Sequence, residues 1–388
     1  MALDLKFSPE QQRFRAEVRA WMSAHVPQVP LQTLESEAGF AQHREWERTL
    51  ARGNFSMITW PREFGGRGAN LIDWLIFEEE YYRANAPLRV NQNGIFLLGP
   101  TLMEFGTPAQ KARFLPRMAA GEEIWAQAWS EPQSGSDLAA LRATAVRDGD
   151  HYVLKGHKIW SSRAAFADWA FGIFRTDPAA ERHRGLSFIL VPLRHPGVRV
   201  RGIRQIHGEP GFAEIFFEEA RVPLDHRLGD EGAGWHIAMA TAGFERGLML
   251  RSPARFQVAA QRLVQLWRRR SDAADPALIG RVTQAWMDAE AYALNTYRTA
   301  SRLMAGGSIG VEASLNKIFW SELDLDLHRT AMSLLGAQAE LLAKDPAAGD
   351  LGSWLEGFIF SLAGPIYAGT NEIQRNLIAE RLLGLPRA

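Results

Sequence analysis

One carboxylate stands out in this chain of 388 residues. From Gly232 to Leu250 the sequence reads GAGWHIAMATAGFERGLML, and its only permanent charges are Glu245 and Arg246. An adjacent Glu-Arg pair on a helix is ordinarily solvated surface. Here Phe244 and the surrounding Ala, Met, Gly and Leu residues argue for at least partial burial. Burial raises a carboxylate's pKa and a neighbouring guanidinium lowers it. A carboxylate held near neutrality by such opposition suits a general base.

Three other stretches could contact a polar ligand. WAQAWSEPQSGSDLA, from Trp125, sets Ser130, Ser134 and Ser136 around Gly135, offering hydroxyls and backbone N–H groups; a surface loop of small residues is the plainer reading. No G-x-S-x-G elbow surrounds these serines, which argues against a serine nucleophile. In KGHKIWSS, Trp160 ends a strand pattern beside Ser161 and Ser162. A flat ring next to small hydroxyls could stack on a planar cofactor, although a tryptophan there is commonly core. Near the C-terminus, Gly369-Thr370-Asn371 predicts a tight turn capping a helix, and a helix start attracts phosphate or carbonyl oxygens. The preceding Tyr367-Ala368 offers no acid, base or nucleophile.

The elements that must position these residues change period along the chain. Helical patterning fills residues 1–123, beginning with the capping box Ser8-Pro9-Glu10-Gln11 and recurring from Leu71 to Arg83 and from Pro108 to Met118. Residues 124–231 read as short strands of an antiparallel barrel or sandwich, with Asp148-Gly149 as a hairpin signal. Residues 232–388 return to long helices, 276–305 and 311–343, joined by a short glycine-rich link. That pattern predicts an antiparallel bundle. The fold class is therefore α+β, in three parts.

Bulk properties narrow the function. Apolar residues make up 46% and charged residues 23%, and Lys+Arg equals Asp+Glu at 44 each, so no net field favours nucleic acid or an acidic membrane. Cysteine is absent, which excludes disulfides, thiolate metal sites and cysteine catalysis. No metal site is expected. The N-terminus lacks a signal-peptide core and no apolar run reaches spanning length. These features point to a cytoplasmic protein without membrane insertion.

The stretches WPREFGG, GTPAQKARFLP, AWSEPQSGSD, KIWSS, FFEEARVP and IYAGTNEIQR, in that order, resemble the acyl-CoA dehydrogenases across nearly the whole chain. The resemblance implies FAD held between the β-domain and the C-terminal helices, with an acyl-CoA thioester against the flavin. Oxidation would give the 2-enoyl-CoA, with electrons passing to an electron-transfer flavoprotein. By matching motif positions, Gln127, Ala128, Trp129 and Ser130 would line the flavin. Trp160, Ser161 and Ser162 would lie beside its ring, and Thr370 and Glu372 would touch FAD from the terminal turn. Ser136 would contact CoA, with Phe244, Arg246 and Gly369 also on the substrate side.

Many family members carry their catalytic glutamate where this chain has Ala368. A minority place it on a core helix just before an arginine, where this chain has Glu245. The resemblance thus implies Glu245 as base, with the Ala368 backbone N–H donating to the thioester oxygen. Two departures bear on assembly. No clear Arg-x-x-x-Phe-Gly match lies between residues 264 and 282, and Gly336-Ala337 replaces a common Gly-Gly at an inter-subunit FAD contact. The pattern is most similar to the bacterial branch with steroid side-chain and dicarboxyl-CoA dehydrogenase subunits. A homo-oligomer (dimer or tetramer) and a hetero-oligomer with a related subunit both remain open, as does a subunit that completes a partner's site without catalysing.

Overall fold

Ser8 accepts from the Gln11 N–H at 3.2 Å and Gln11 Oε1 accepts from the Ser8 N–H at 2.8 Å, closing the expected capping box at the start of α1 (Pro9–His25). The computed structural model describes residues 6–245, 252–270, 275–342, 345 and 351–386, with Glu245 as backbone only. Asn70 and Thr107 form equivalent boxes ahead of α3 (Leu71–Arg83) and α5 (Pro108–Ala119). Two helices go beyond the sequence expectation: α2 (Glu37–Arg52), and α4 (Gly99–Phe105), which continues a π-wound segment from Asn93. The inward stripe of α2 runs Phe40, His43, Trp46, Glu47 and Leu50, so a buried histidine and a buried glutamate break its apolar signal. Glu47 is satisfied by Arg89 at 2.9 Å.

The middle block forms one eight-stranded sheet: β1 (Trp125–Ala128), β2 (Thr144–Asp148), β3 (His151–Ser162), β4 (Trp169–Arg175), β5 (Leu186–Pro192), β6 (Val198–Ile203), β7 (Phe212–Pro223) and β8 (Arg227–Leu228). Asp148 pairs with His151 across the predicted hairpin. The pairings are antiparallel except along one edge of β4, where β1 and then β2 run parallel to it, end to end. Tyr152, Leu154, Ala170, Phe174, Ile189, Ile215 and Val222 share the core beneath it.

The later helices are α6 (Gly234–Glu245), α7 (Pro253–Arg270), α8 (Leu278–Met304), α9 (Glu312–Leu335), α10 (Gly352–Ser361) and α11 (Asn371–Leu377). α9 stops short of the expected 343. Gly336 takes φ 55°, ψ −130°, a conformation open essentially to glycine, and a 3-10 turn follows to Glu340. By packing, the described residues within 1–24, 70–85 and 246–388 form one unit, and those within 25–69 and 86–245 the other. α1 and α3 thus group with the C-terminal helices. That unit's core joins Phe256, Leu263, Tyr292, Trp320, Leu327 and Trp354. The division read from periodicity follows changes of element type, whereas this one follows contact.

A Cβ at Gly336 would meet nothing within 4 Å, so substitution there tests backbone strain alone. Gly336→Ala should lower stability by about 1–3 kcal/mol, read from urea midpoints, with no change in secondary-structure content.

Candidate active site

In the β-containing unit, the segment following β1 is fixed by a lysine. Lys158 is fully buried on β3, and its ammonium donates to Trp129 O at 3.1 Å, Ile173 O at 2.8 Å and Glu131 Oε1 at 2.9 Å. The Glu131 carboxylate also accepts the backbone N–H groups of Arg142 and Ala143, at 2.7 and 2.8 Å, and the Gln133 amide at 2.7 Å. Burial alone would raise the Glu131 pKa, but the Lys158 charge and these donors outweigh it and hold the carboxyl below its usual range. Burial pulls Lys158 down, against the attraction of Glu131.

Ser130 O accepts from Ile159 N–H at 2.9 Å, so positions 129–130 lie beside positions 158–159. Gln127 and Ser130 are half-buried, and Ala128 and Trp129 are buried. The loop beyond Ser130 closes on itself through reciprocal Glu131–Ser134 backbone bonds, each 2.9 Å, leaving Ser136 exposed.

Just past Lys158 the β3–β7 register slips, placing Ile159 and Trp160 opposite Glu214 alone. Trp160 takes φ 59°, and its indole is 58% exposed, touched edge-on by Phe212. A bulky residue in the left-handed region costs about 1–3 kcal/mol, and such strain concentrates at functional sites. Next to it, Ser161 is buried and its hydroxyl makes no hydrogen bond among the described residues; the same holds for the buried Trp129 Nε1. Ser162 is half-buried. Two unspent polar atoms, an outward-facing indole and small hydroxyls fit a flat heteroaromatic ring with polar edges, which is the chemistry of a flavin.

α6 carries Ile237, Ala238 and Thr241 inward, and Thr241 bonds Thr101 at 2.9 Å. Phe244 is half-buried. Glu245 is the last residue of α6; its side chain and all of Arg246 lie outside the described residues.

In the helical unit, the terminal turn is built from two successive left-handed residues, Ala368 at φ 57° and Gly369 at φ 80°. Neither donates a backbone hydrogen bond among the described residues. Gly369 suits this left-handed position, and an added Cβ would lie 2.5 Å from Gln374 Nε2, so that amide would have to shift. Thr370 caps α11, its hydroxyl accepting from Ile373 N–H at 3.2 Å. Glu372 is exposed; hydrogen bonds from its own N–H and from Thr370 hold its carboxyl below the usual range, so this helix start already carries an anion. Gly336 lies in the same unit, at the end of α9.

Beneath the turn, Lys317 is buried on α9, donating to Gly364 O at 3.0 Å and to Asn371 Oδ1 at 2.7 Å. Asn371 also exchanges hydrogen bonds with Ser321, at 3.2 and 3.1 Å. Sequence reasoning passed over Lys158, Glu131 and Lys317. The signals were present: Lys158 keeps the two-residue register of Tyr152 and Leu154, and Lys317 falls on the stripe of Trp320, Leu327 and Ala331.

The acyl-CoA dehydrogenase N-terminal, middle and C-terminal domain descriptions match residues 8–122, 126–220 and 232–383. The chain belongs to the acyl-CoA dehydrogenase family. It is 41% identical to acyl-CoA dehydrogenase IpdE1 of Mycobacterium tuberculosis, over 97% of this chain and 98% of that protein. It superposes on the ChsE4–ChsE5 complex from Mycobacterium tuberculosis with a TM-score of 0.86 at 32% identity, covering 100% of both chains. The corresponding values for the Tcur3481–Tcur3483 steroid ACAD are 0.88, 28% and 100% of both chains. The chain is accordingly an oxidoreductase, an acyl-CoA dehydrogenase of α+β fold. Among the described residues, no helix is long and apolar enough to cross a membrane, and no cluster of metal-ligating side chains occurs.

Removing Lys158 strands a buried carboxylate. Lys158→Met should cost about 3–5 kcal/mol in urea unfolding, and Lys158→Met with Glu131→Gln should recover part of it. Because the folded pKa of Glu131 is depressed, its contribution is complete above the ordinary glutamate value and is lost as pH falls through the depressed one. Stability should therefore drop less steeply on acidification below about pH 4.3 in Glu131→Gln than in the parent.

Proposed function

We propose that this chain oxidises an acyl-CoA thioester to its 2-enoyl-CoA, with FAD as cofactor and Glu245 as the base that takes the α-proton. The observation that carries this reading is the terminal turn. Ala368 and Gly369 present unspent N–H groups where an oxygen acquiring negative charge would be stabilised, yet the turn holds no proton acceptor. The resemblance supplies the acceptor: Glu245, in the position just before an arginine, closes the described part of α6, whose other residues carry no permanent charge.

Bound FAD would take up the two electrons of the oxidation as hydride. The roles of the chain's own groups are these. Glu245 would take the α-proton on its carboxylate, with Phe244 and Arg246 on the substrate side. The Ala368 N–H donates to the thioester oxygen, which acidifies the α-carbon. Gln127, Ala128, Trp129 and Ser130 would line the isoalloxazine, with Ser130 and Ser162 as hydrogen-bonding side chains and Trp160 and Ser161 beside the ring. Thr370, Glu372 and Gly336 serve the remainder of the cofactor. Ser136, exposed on its loop, serves the CoA moiety, and Gly369 the thioester end. Electrons would leave to an electron-transfer flavoprotein.

A second reading concerns assembly. Two structures that match the whole chain are a two-protein complex and a steroid ACAD named for two proteins, which supports pairing of this chain with a related subunit. The missing Arg-x-x-x-Phe-Gly stretch supports the same reading, since a partner could complete the cofactor contacts. The same neighbours favour a bulky acyl group such as a steroid side chain.

Anaerobic addition of straight, branched, dicarboxyl and steroid side-chain CoA thioesters should bleach the flavin absorbance for at least one class. Glu245→Gln should retain FAD yet lose the bleaching by at least about 10³-fold; unchanged reduction removes Glu245 from the mechanism. Native mass and bound FAD, measured for the chain alone and after co-expression with a related subunit, separate self-assembly from mixed assembly. Full FAD occupancy in a single-chain oligomer would exclude the need for a partner.

A further inference from the structure

We propose that Lys317 is a positioning residue for the reaction, setting the direction of the Ala368 N–H by tying both ends of the loop that carries it. This inference rests on the role given above to Ala368.

The loop runs from Gly364 to Asn371, with Ala368 inside it. A left-handed residue followed by a left-handed glycine has no regular ladder to hold its N–H vectors, so their direction depends on where the loop ends are fixed. Lys317 fixes both at once: Gly364 O, the first carbonyl, at 3.0 Å, and Asn371 Oδ1, the last side chain, at 2.7 Å. The Asn371 N–H closes the loop onto Pro365 O at 2.9 Å, and its side chain is tied to Ser321 on the same helix face as Lys317. Gln374 Nε2 adds a long contact to Gly369 O at 3.4 Å.

Lys317, Asn371 and Gln374 are all buried, whereas the turn they hold is half-exposed. An aliphatic side chain could fill the Lys317 position on a 24-residue helix rich in apolar contacts, but it could not grip two oxygens. A charge-assisted donor makes shorter and stronger bonds than a neutral one, which suits a clamp on an oxyanion donor. Small misplacements matter, since a donor must sit within hydrogen-bond reach of the developing charge to act on it.

The test uses the FAD-loaded protein and the panel thioester that reduces it fastest. Lys317→Met should keep bound FAD and leave KM within about threefold, while the anaerobic flavin-reduction rate falls about tenfold or more. A second readout isolates the donor: the carbonyl stretch of the matching 2-enoyl-CoA, labelled with carbon-13 at the thioester. Bound to the parent it should move to lower frequency than in water, and in Lys317→Met it should return toward the free value. Asn371→Ser severs one tie and leaves the other, and should shift both readouts part of the way; it decides the matter if Lys317→Met does not fold. A parent downshift that survives in these variants, with an undiminished reduction rate, overturns the role of Lys317 and leaves Ala368 in place. No downshift in the parent removes Ala368 as the donor, and the positioning role falls with it.

Discussion

The ammonium of Lys158 and the carboxylate of Glu131 meet inside the β-containing unit, and the local architecture follows from that meeting. Two opposite charges removed from water are tolerable only when nearly every donor and acceptor is used. Lys158 spends its protons on two backbone carbonyls and the carboxylate, and Glu131 gathers two backbone amides as well. The cost of burial is thereby turned into location. The residues after β1, the start of β2 and the middle of β3 are referenced to a single point. An apolar pair of the same volume could pack there but would not tie these segments to one another by hydrogen bonds.

Both units share a design logic. The groups proposed to face a ligand include small side chains and bare backbone beside Trp160, and the charges that hold them lie one layer deeper. Along the strands the outward element is Trp160 with its serines; in the helical unit it is the Ala368–Gly369 turn. A backbone donor such as the Ala368 N–H does not depend on the chemistry of its own side chain, although Gly369 beside it must keep a left-handed conformation. It is correspondingly sensitive to the residues underneath.

Much of this was legible in the sequence because local rules acted alone. The Ser8 capping box marked one helix start, helical spacing located α3 and α5, and Asp148-Gly149 marked a hairpin, all through contacts spanning only a few residues. Where tertiary partners rewrite the pattern, reading failed. Glu47 sits inward on α2 because Arg89, 42 positions away, neutralises it. Lys158 falls on the inward register of β3, but a lysine there has no evident reason until Glu131 is placed beside it. Gly336 ends α9 through a backbone angle that hydrophobic spacing does not encode. The candidate site residues came from motif likeness, and the turn at Gly369-Thr370-Asn371 from residue types; the buried side chains beneath them required distances.

The Trp160 indole has a thermodynamic corollary. A large ring displayed on a bulge residue of left-handed conformation carries a cost in hydration and backbone strain. Any planar molecule that covers it preferentially in the folded state shifts the folding equilibrium by mass action, logarithmically in its free concentration. In a cell short of that molecule, the chain's lifetime would be governed by supply of its ligand as well as by its own core.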